Sequence, residues 1–495
     1  MTTESKLQKP DNNSDRQPEK EQFQWTKQWY PVAAIEFLDP TRPHAMQLLG
    51  KDIVLWRDNT GKWNCFADVC PHRLVPLSEG RIESDGTLLC AYHAWRFNSQ
   101  GKCVSIPQSK DKEIEAKNFA NPRSCAVVYP SQERQGLLWV WGEPGEKAQV
   151  ESKLKKPRII PELEEKSDRV VKTTWSHRDL PYGWELFMEN VCDPAHVSVS
   201  HHGIMGSRYG DDKYYDMLPL REMSTEDGFA YEITPLPGNV KQAVHDFQPP
   251  CHMRIYSEPQ DGGKFILALY ATPTRPGWCR TIGCQVFVKN DAGKIPKGLA
   301  FFALPMPVWL SHVLGSLFVH QDLVFLHYQE RILKKQKNRW LEAVYTPNPQ
   351  DKMTIALRQW LANRAGGEVP WSEECDSNLP PAELDKRKLF DTWTMHTKDC
   401  TTCQDALKNI NRLTRLSFAG AILALFMAIF LDSRSIAIAV ASKQIDLTSS
   451  IFSVNPGIGF WLSLLGAILL TAIGLSLGKL SKLFYIYEFS HSDND

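Results

Sequence analysis

The chain has 495 residues, room for two or three domains, and its 57 basic and 57 acidic side chains give a formal net charge of zero. Basic residues are not clustered, which excludes nucleic acid as an expected partner. The 12 cysteines are irregularly spaced with no secretory signal ahead of them, so a reducing compartment is expected rather than a disulfide scaffold.

Residues 1–24 are polar, mix acidic and basic groups, and read as a disordered arm. Glu4, Asp11, Asp15, Glu19 and Glu21 count against an organelle transit peptide, a class that avoids acidic residues. From residue 25 to about 146, short apolar runs (52–56, 136–141) alternate with Gly, Pro and Asn turns, an all-β pattern.

This stretch holds two short pairs, Cys70-Pro-His72-Arg73 and Cys90-Ala-Tyr-His93. Each offers one thiolate and one imidazole, the set a Rieske [2Fe–2S] cluster needs, with two cysteines on one iron and two histidines on the other. Zinc is the rival, but structural zinc sites usually group cysteine with cysteine and histidine with histidine. The loops, followed by Trp95 and Phe97, resemble the paired turns of the Rieske family. Val75 and Tyr92 stand where respiratory members carry extra disulfide cysteines, so the resemblance is to the oxygenase type.

A charged stretch, 147–167, leads into residues 168–348, where strand-like runs (265–271, 284–289) mix with helical ones (183–192, 322–334). An α+β domain is expected there. It contains Glu189-Asn190-x-x-Asp193-x-x-His196-x-x-x-x-His201. Two histidines and a carboxylate that leave coordination positions open form the facial triad of non-haem Fe(II). Residues five apart do not share one face of a regular helix, so the helix entering Asn190 should end near Pro194. His202 is easily mistaken for the second ligand; the spacing favours His201.

Taken together, these motifs resemble the Rieske non-haem iron oxygenases over residues 25–335. That resemblance implies a distant carboxylate ligand opening a helix after the last catalytic strands. The matching stretch is Gln321-Asp322-Leu-Val-Phe-Leu-His-Tyr-Gln-Glu330, and Asp322 is chosen. A plain N-cap role for Asp322, or ligation by Glu330, are the alternatives. The resemblance also implies that Asp193, with Asn190 in the same catalytic segment, bridges a cluster histidine and an iron-ligand histidine across a subunit boundary. Head-to-tail contacts of that kind would close a homotrimer.

Near the C-terminus, residues 416–431 and 457–477 carry no charge, approaching the ~20 apolar residues of a membrane span. Starting the first at Leu413, with Arg415 extending toward the interface, gives it the needed length. Arg412 and Arg415 before the first run, with Lys479 and Lys482 after the second, put both outer ends on the cytoplasmic or stromal side and the loop 432–456 across the membrane. A pair of buried soluble helices is the alternative, although neither run shows an amphipathic stripe. Just before them stands His396-x-x-x-Cys400-Thr-Thr-Cys403. Such a pair can be redox-regulatory and answer to thioredoxin, form half a metal site, or be ordinary cysteines. No second cysteine pair of suitable spacing accompanies it, which weakens zinc.

The expected order is therefore an arm (1–24), an all-β Rieske domain (25–150), an α+β mononuclear-iron catalytic domain (151–350), a linker with the Cys-x-x-Cys (351–410), a transmembrane helical hairpin (411–482) and a polar tail (483–495). A Cys-x-x-Cys ahead of two C-terminal spans resembles the pheophorbide a oxygenase group. So do Trp29-Tyr30-Pro31, Cys70-Pro-His-Arg-Leu-Val-Pro-Leu-Ser-Glu-Gly-Arg81 and Ile106-Pro107-Gln108. Ala94 departs from the group, where many members have glycine. The resemblance implies a Rieske cluster and mononuclear Fe(II), a ferredoxin-like electron donor, O2, and an apolar chlorophyll-derived tetrapyrrole as substrate in chlorophyll catabolism. Ring opening of pheophorbide a leads, oxidation of a substituent on a related pigment follows, and a non-catalytic membrane redox sensor or electron-transfer protein is the third reading. Without a transit peptide the sequence resembles a cyanobacterial member, in a thylakoid or plasma membrane.

Overall fold

The computed structural model describes residues 22–491 apart from 166, 211–212, 237, 296–305, 338, 374 and 443–455. The expected N-terminal arm thus lies outside the described residues except for its end. There Phe23 is buried in the core, and its amide donates to the Arg364 carbonyl (2.7 Å).

The first domain is built on strand Lys51–Arg57, in which Ile53, Val54, Leu55 and Trp56 are all buried. Because successive side chains point to opposite faces, the strand feeds two cores at once. Ile53 and Leu55 join the main core, whereas Val54 and Trp56 join a smaller one containing Cys70, Leu77, Leu88, Cys90 and Phe97. That smaller core supports a lobe of four short antiparallel strands, Arg81–Ile82, Leu88–Leu89, Arg96–Phe97 and Cys103–Ser105.

The second domain is an eight-stranded antiparallel sheet. Strands Val170–Lys172 and Ser176–Leu180 both pair with Trp278–Val288, and the order continues through Lys264–Arg275, His252–Pro259, Val240–Gln248, Gly228–Thr234 and Asp216–Ser224. The two domains share backbone hydrogen bonds, Leu49 N to Pro273 O (2.9 Å) and Gly50 N to Thr274 O (2.8 Å). Arg280 reaches back to the Val32 carbonyl (3.1 Å). The main core runs through both.

Helices Trp184–Cys192, Val308–Lys335 and Lys352–Arg364 pack beside this sheet. The last belongs to the stretch expected as a linker, yet Met353, Leu357 and Trp360 are fully buried. Trp360 and Trp25 meet edge to face (6.1 Å), as do Trp25 and Trp184 (5.1 Å). Such contacts favour aromatic rings beyond simple area burial. The charged stretch 147–167 is likewise held down, with Ile160 fully buried and the Arg158 carbonyl accepting from the Tyr270 hydroxyl (2.7 Å).

Helices Thr401–Ala441 and Ile458–Lys482 are long and apolar enough to cross a membrane. They pack on each other, with the Phe418 ring facing Gly474 and Leu431 facing Gly459, and expose Leu423, Phe426, Phe430, Leu462 and Ile468 outward. The first helix does not stop at Asp432 but continues to Ala441. Its 41 residues span about 60 Å, roughly twice a bilayer's hydrocarbon thickness. The excess lies partly in the catalytic body, where Cys403, Ala406, Leu407 and Ile410 belong to the main core. After the second helix the stretch expected as a polar tail returns to that body, as far as His491. The Tyr487 carbonyl meets His320 Nδ1 (2.7 Å), and His491 Nε2 meets the Gln321 carbonyl (2.7 Å).

Candidate metal centres

The two cysteine–histidine loops are near copies, offset by twenty residues. In one, Cys70 N donates to Val75 O (2.8 Å) and Leu74 N to Cys70 O (2.9 Å). In the other, Cys90 N donates to Trp95 O (2.8 Å) and Ala94 N to Cys90 O (3.0 Å). Both turns close through a left-handed residue, Leu74 (φ 58°) and Ala94 (φ 57°). The effect is to turn both thiols inward and both imidazoles outward. Cys70 and Cys90 are buried with their thiols in hydrogen-bonding reach of each other, and the His72 and His93 rings lie 4.5 Å apart near the surface. The His72 ring also stacks on Trp95 (4.6 Å). The donor set and its pairing therefore fit a Rieske cluster.

The second centre forms where three elements meet. Helix Trp184–Cys192 ends just before Asp193 and Pro194, and a separate short helix, His196–Ser200, follows at once. His201 caps that short helix out of helical register (φ −93°, ψ 33°), which is how two histidines five apart come to face one point. Asp322 faces them from the carboxylate helix Val308–Lys335, its Oδ2 lying 3.1 Å from His201 Nε2 and 3.6 Å from His196 Nε2. All three donor atoms fall within 4.8 Å of one another, a group that can hold a metal ion.

Each donor is oriented from behind. His196 Nδ1 donates to the Asp193 carbonyl (2.7 Å) and His201 Nδ1 to Gln321 Oε1 (2.9 Å), so both Nε2 lone pairs face the centre. Ser200 donates to Asp322 Oδ1 (2.6 Å), leaving Oδ2 for the histidines, and Phe318 stacks on the His201 ring (3.7 Å). Partners of this kind fix imidazole tautomer and orientation in metal sites. The chemistry fits mononuclear iron with open positions.

Several expectations change in detail. Asp322 does not open its helix; that helix begins at Val308, so Asp322 sits deep inside it and has no N-capping role. Glu330 is spent elsewhere, accepting from Gly183 N (2.9 Å) and pairing with Arg331 (2.6 Å). The Asp193 carboxylate accepts from Ala195 N (2.8 Å) and stays 3.7 Å from His196 Nδ1, while its carbonyl makes the imidazole contact. The Asn190 carbonyl accepts from Asp193 N (3.1 Å), holding the turn. His202 lies apart from the centre, with its Nδ1 accepting from Arg208 N (3.1 Å). Gln321 and Ser200 are new to the site, and each is the chain neighbour of a donor.

Known proteins resemble this chain over most of its length. Residues 28–120 match the Rieske [2Fe-2S] domain family and residues 247–340 the pheophorbide a oxygenase family. The chloroplastic pheophorbide a oxygenase of Arabidopsis thaliana is 32% identical over 434 residues, covering 84% of this chain and 78% of that one. The chain belongs to the pheophorbide a oxygenase family of Rieske non-haem iron oxygenases. Flavonoid 8-hydroxylase 2 of Ocimum basilicum is equally similar, 33% identical over 415 residues (80% of this chain, 76% of that one). The solved structure of dicamba monooxygenase bound to dicamba shares the fold, with a TM-score of 0.52 at 18% identity over 68% of this chain and 96% of that one. As a Rieske oxygenase the protein uses a [2Fe–2S] cluster and mononuclear iron, and the two donor groups described above fit them.

Proposed function

We propose that this protein is a membrane-anchored oxygenase that uses O2 and two electrons to oxygenate a chlorophyll-derived tetrapyrrole, with ring opening of pheophorbide a as its leading reaction. The observation that carries the chemistry is the convergence of His196, His201 and Asp322 with their tautomers and lone pairs already set. Similarity to pheophorbide a oxygenases from Arabidopsis thaliana and from Oryza sativa subsp. japonica (33% over 422 residues) supports the substrate class. The similar flavonoid 8-hydroxylase supports oxygen insertion that leaves the ring intact, in line with a second reading, oxidation of a substituent on a related tetrapyrrole.

In this reading Cys70, His72, Cys90 and His93 hold the cluster, and His196, His201 and Asp322 hold the iron. When bound, the cluster relays single electrons and the ferrous ion activates O2. The chain's part is positioning. Asp193 and Gln321 aim the two imidazoles, Ser200 turns the Asp322 carboxylate, and Phe318 provides an apolar wall against His201. Exposed Val199, Ile204 and Met205 follow on the same segment and suit a flat apolar substrate.

The cluster tip exposes Leu74 and Tyr92, a surface fit to meet either a ferredoxin-like donor or a neighbouring subunit. A head-to-tail ring of three would bring that tip to a neighbour's Asp193, whose carboxylate Oδ2 lies 3.7 Å from His196 Nδ1. The outward apolar faces of the two terminal helices support bilayer insertion, and Arg412, Arg415, Lys479 and Lys482 support a cytoplasmic or stromal catalytic body. An apolar substrate would then reach the site from the lipid beside it.

The test is anaerobic incubation of the reduced, detergent-solubilised full chain with pheophorbide a, chlorophyllide or a flavone, followed by 18O2. Labelled, ring-opened tetrapyrrole is expected by mass. Label confined to a substituent supports the second reading, while labelled flavone alone overturns the substrate class.

A further inference from the structure

The Cys-x-x-Cys does not stand alone in the fold. Cys400, Cys403, His396 and the distant His312 are each no more than 2% exposed, and their donor atoms all lie within 4.8 Å of one another. His312 Nδ1 and His396 Nε2 are both 3.3 Å from Cys403 Sγ, the two nitrogens are 3.1 Å apart, and Cys400 Sγ is 3.7 Å from His312 Nδ1. A tetrahedron with Zn–N of about 2.0–2.1 Å and Zn–S of about 2.3 Å has N···N edges of about 3.3 Å and N···S edges of about 3.6 Å. Those four separations stand near these values, and the other two lie within 4.8 Å.

Their tautomers agree. His312 Nε2 donates to the Trp175 carbonyl (3.0 Å) and His396 Nδ1 to the His177 carbonyl (2.7 Å). Each imidazole therefore presents a bare lone pair inward. Two lone pairs 3.1 Å apart repel each other unless a cation lies between them. Backbone-anchored imidazoles are also the usual supports of metal ligands. Cys400 is the N-cap of helix Thr401–Ala441 and Cys403 lies in its first turn, where the positive end of the helix dipole favours thiolates.

We propose that His312, His396, Cys400 and Cys403 bind one Zn(II) in a closed tetrahedral site, separate from both iron centres. The S2N2 donor set suits zinc, and four protein ligands with no exposed position mark a structural rather than a catalytic site. Binding releases the two thiol protons, and the resulting thiolates neutralise the dication. The site ties together three elements: the carbonyls of Trp175 and His177 in the catalytic sheet region, the start of the helix that carries Asp322, and the root of the first membrane helix. His312 and Asp322 are ten residues apart on one helix, about 15 Å. Zinc here fixes the hairpin against the carboxylate helix. The inference does not depend on which substrate the oxygenase takes.

The full chain, produced with iron and zinc supplied and purified in mild detergent without chelator, tests it. Elemental analysis should find about one zinc per chain beside the iron, and zinc-edge X-ray absorption should show two sulfur and two nitrogen neighbours. Cys400→Ser/Cys403→Ser should lower zinc at least about tenfold while the Rieske absorbance and iron content persist. Should that variant fail to accumulate, titrating the wild type with a mercurial should release the zinc. Wild type holding less than about a tenth of a zinc per chain, zinc retained by the double variant, or a Cys400–Cys403 disulfide in the wild type (the thioredoxin-type redox pair) would overturn the assignment.

Discussion

Gln321 Oε1 accepts from His201 Nδ1 at 2.9 Å, while its chain neighbour Asp322 meets the opposite nitrogen of the same ring at 3.1 Å. One helix thus supplies both a candidate iron ligand and the group that orients another. Gln321→Leu keeps the bulk but removes the acceptor, so the ring can rotate and its tautomer is no longer set. Ferrous iron affinity is expected to fall about 10- to 100-fold, with the cluster spectrum unchanged. Iron titration of the apo-protein, followed beside the visible cluster absorbance, checks it.

His196→Ala or His201→Ala should abolish turnover and leave cluster absorbance intact, because the Cys70 and Cys90 loops draw on a separate small core. Loss of the cluster in either variant would mean that the two sets of donors do not form two independent centres.

Asp193 contacts His196 through its carbonyl, which Asp193→Asn preserves, so this variant isolates the carboxylate. If that carboxylate completes the route from a neighbouring cluster, iron content should stay level while cluster reoxidation by O2 and substrate slows at least about tenfold. Stopped-flow absorbance reads this directly. An unchanged rate removes Asp193 from the electron path.

The cluster loops were legible because their donors are neighbours in the chain, and a thiol and an imidazole within four positions leave few structural readings. His196 and His201 were legible for the same reason. Asp322 was reached only through family resemblance, since a lone aspartate inside a helix that begins at Val308 leaves no local pattern. His312 left none either. It lies 88 positions before Cys400, so from sequence spacing half a metal site was one of three readings of the Cys-x-x-Cys, whereas folding brings four donors together. The same limit hid the docking of helix Lys352–Arg364, whose Trp360 packs on Trp25 and Phe247 far away in the chain.

Ala94 occupies a left-handed turn (φ 57°) that costs an L-residue roughly 1 kcal/mol relative to glycine. Ala94→Gly should therefore stabilise the cluster loop by up to about 1 kcal/mol. A longer lifetime of the visible cluster absorbance in denaturant is the expected result. The mirrored position, Leu74 (φ 58°), should respond in the same direction.

Glu330 offers a pH test away from the metals. Burial, outweighing the Arg331 guanidinium 2.6 Å away, pushes its carboxyl up to about 7 from an ordinary 4.5. Between those values the folded protein holds a proton that the unfolded chain has released. Its contribution to stability is therefore complete below the unfolded value and is lost as pH rises toward 7, by at most about 1.4 kcal/mol per pH unit. Glu330→Gln keeps an acceptor for Gly183 N but removes the titration. Melting temperatures of the two proteins at pH 5, 6 and 7 should shift progressively in the variant's favour as pH increases. A difference that stays constant across that range would show that Glu330 is already ionised in the folded protein at pH 5.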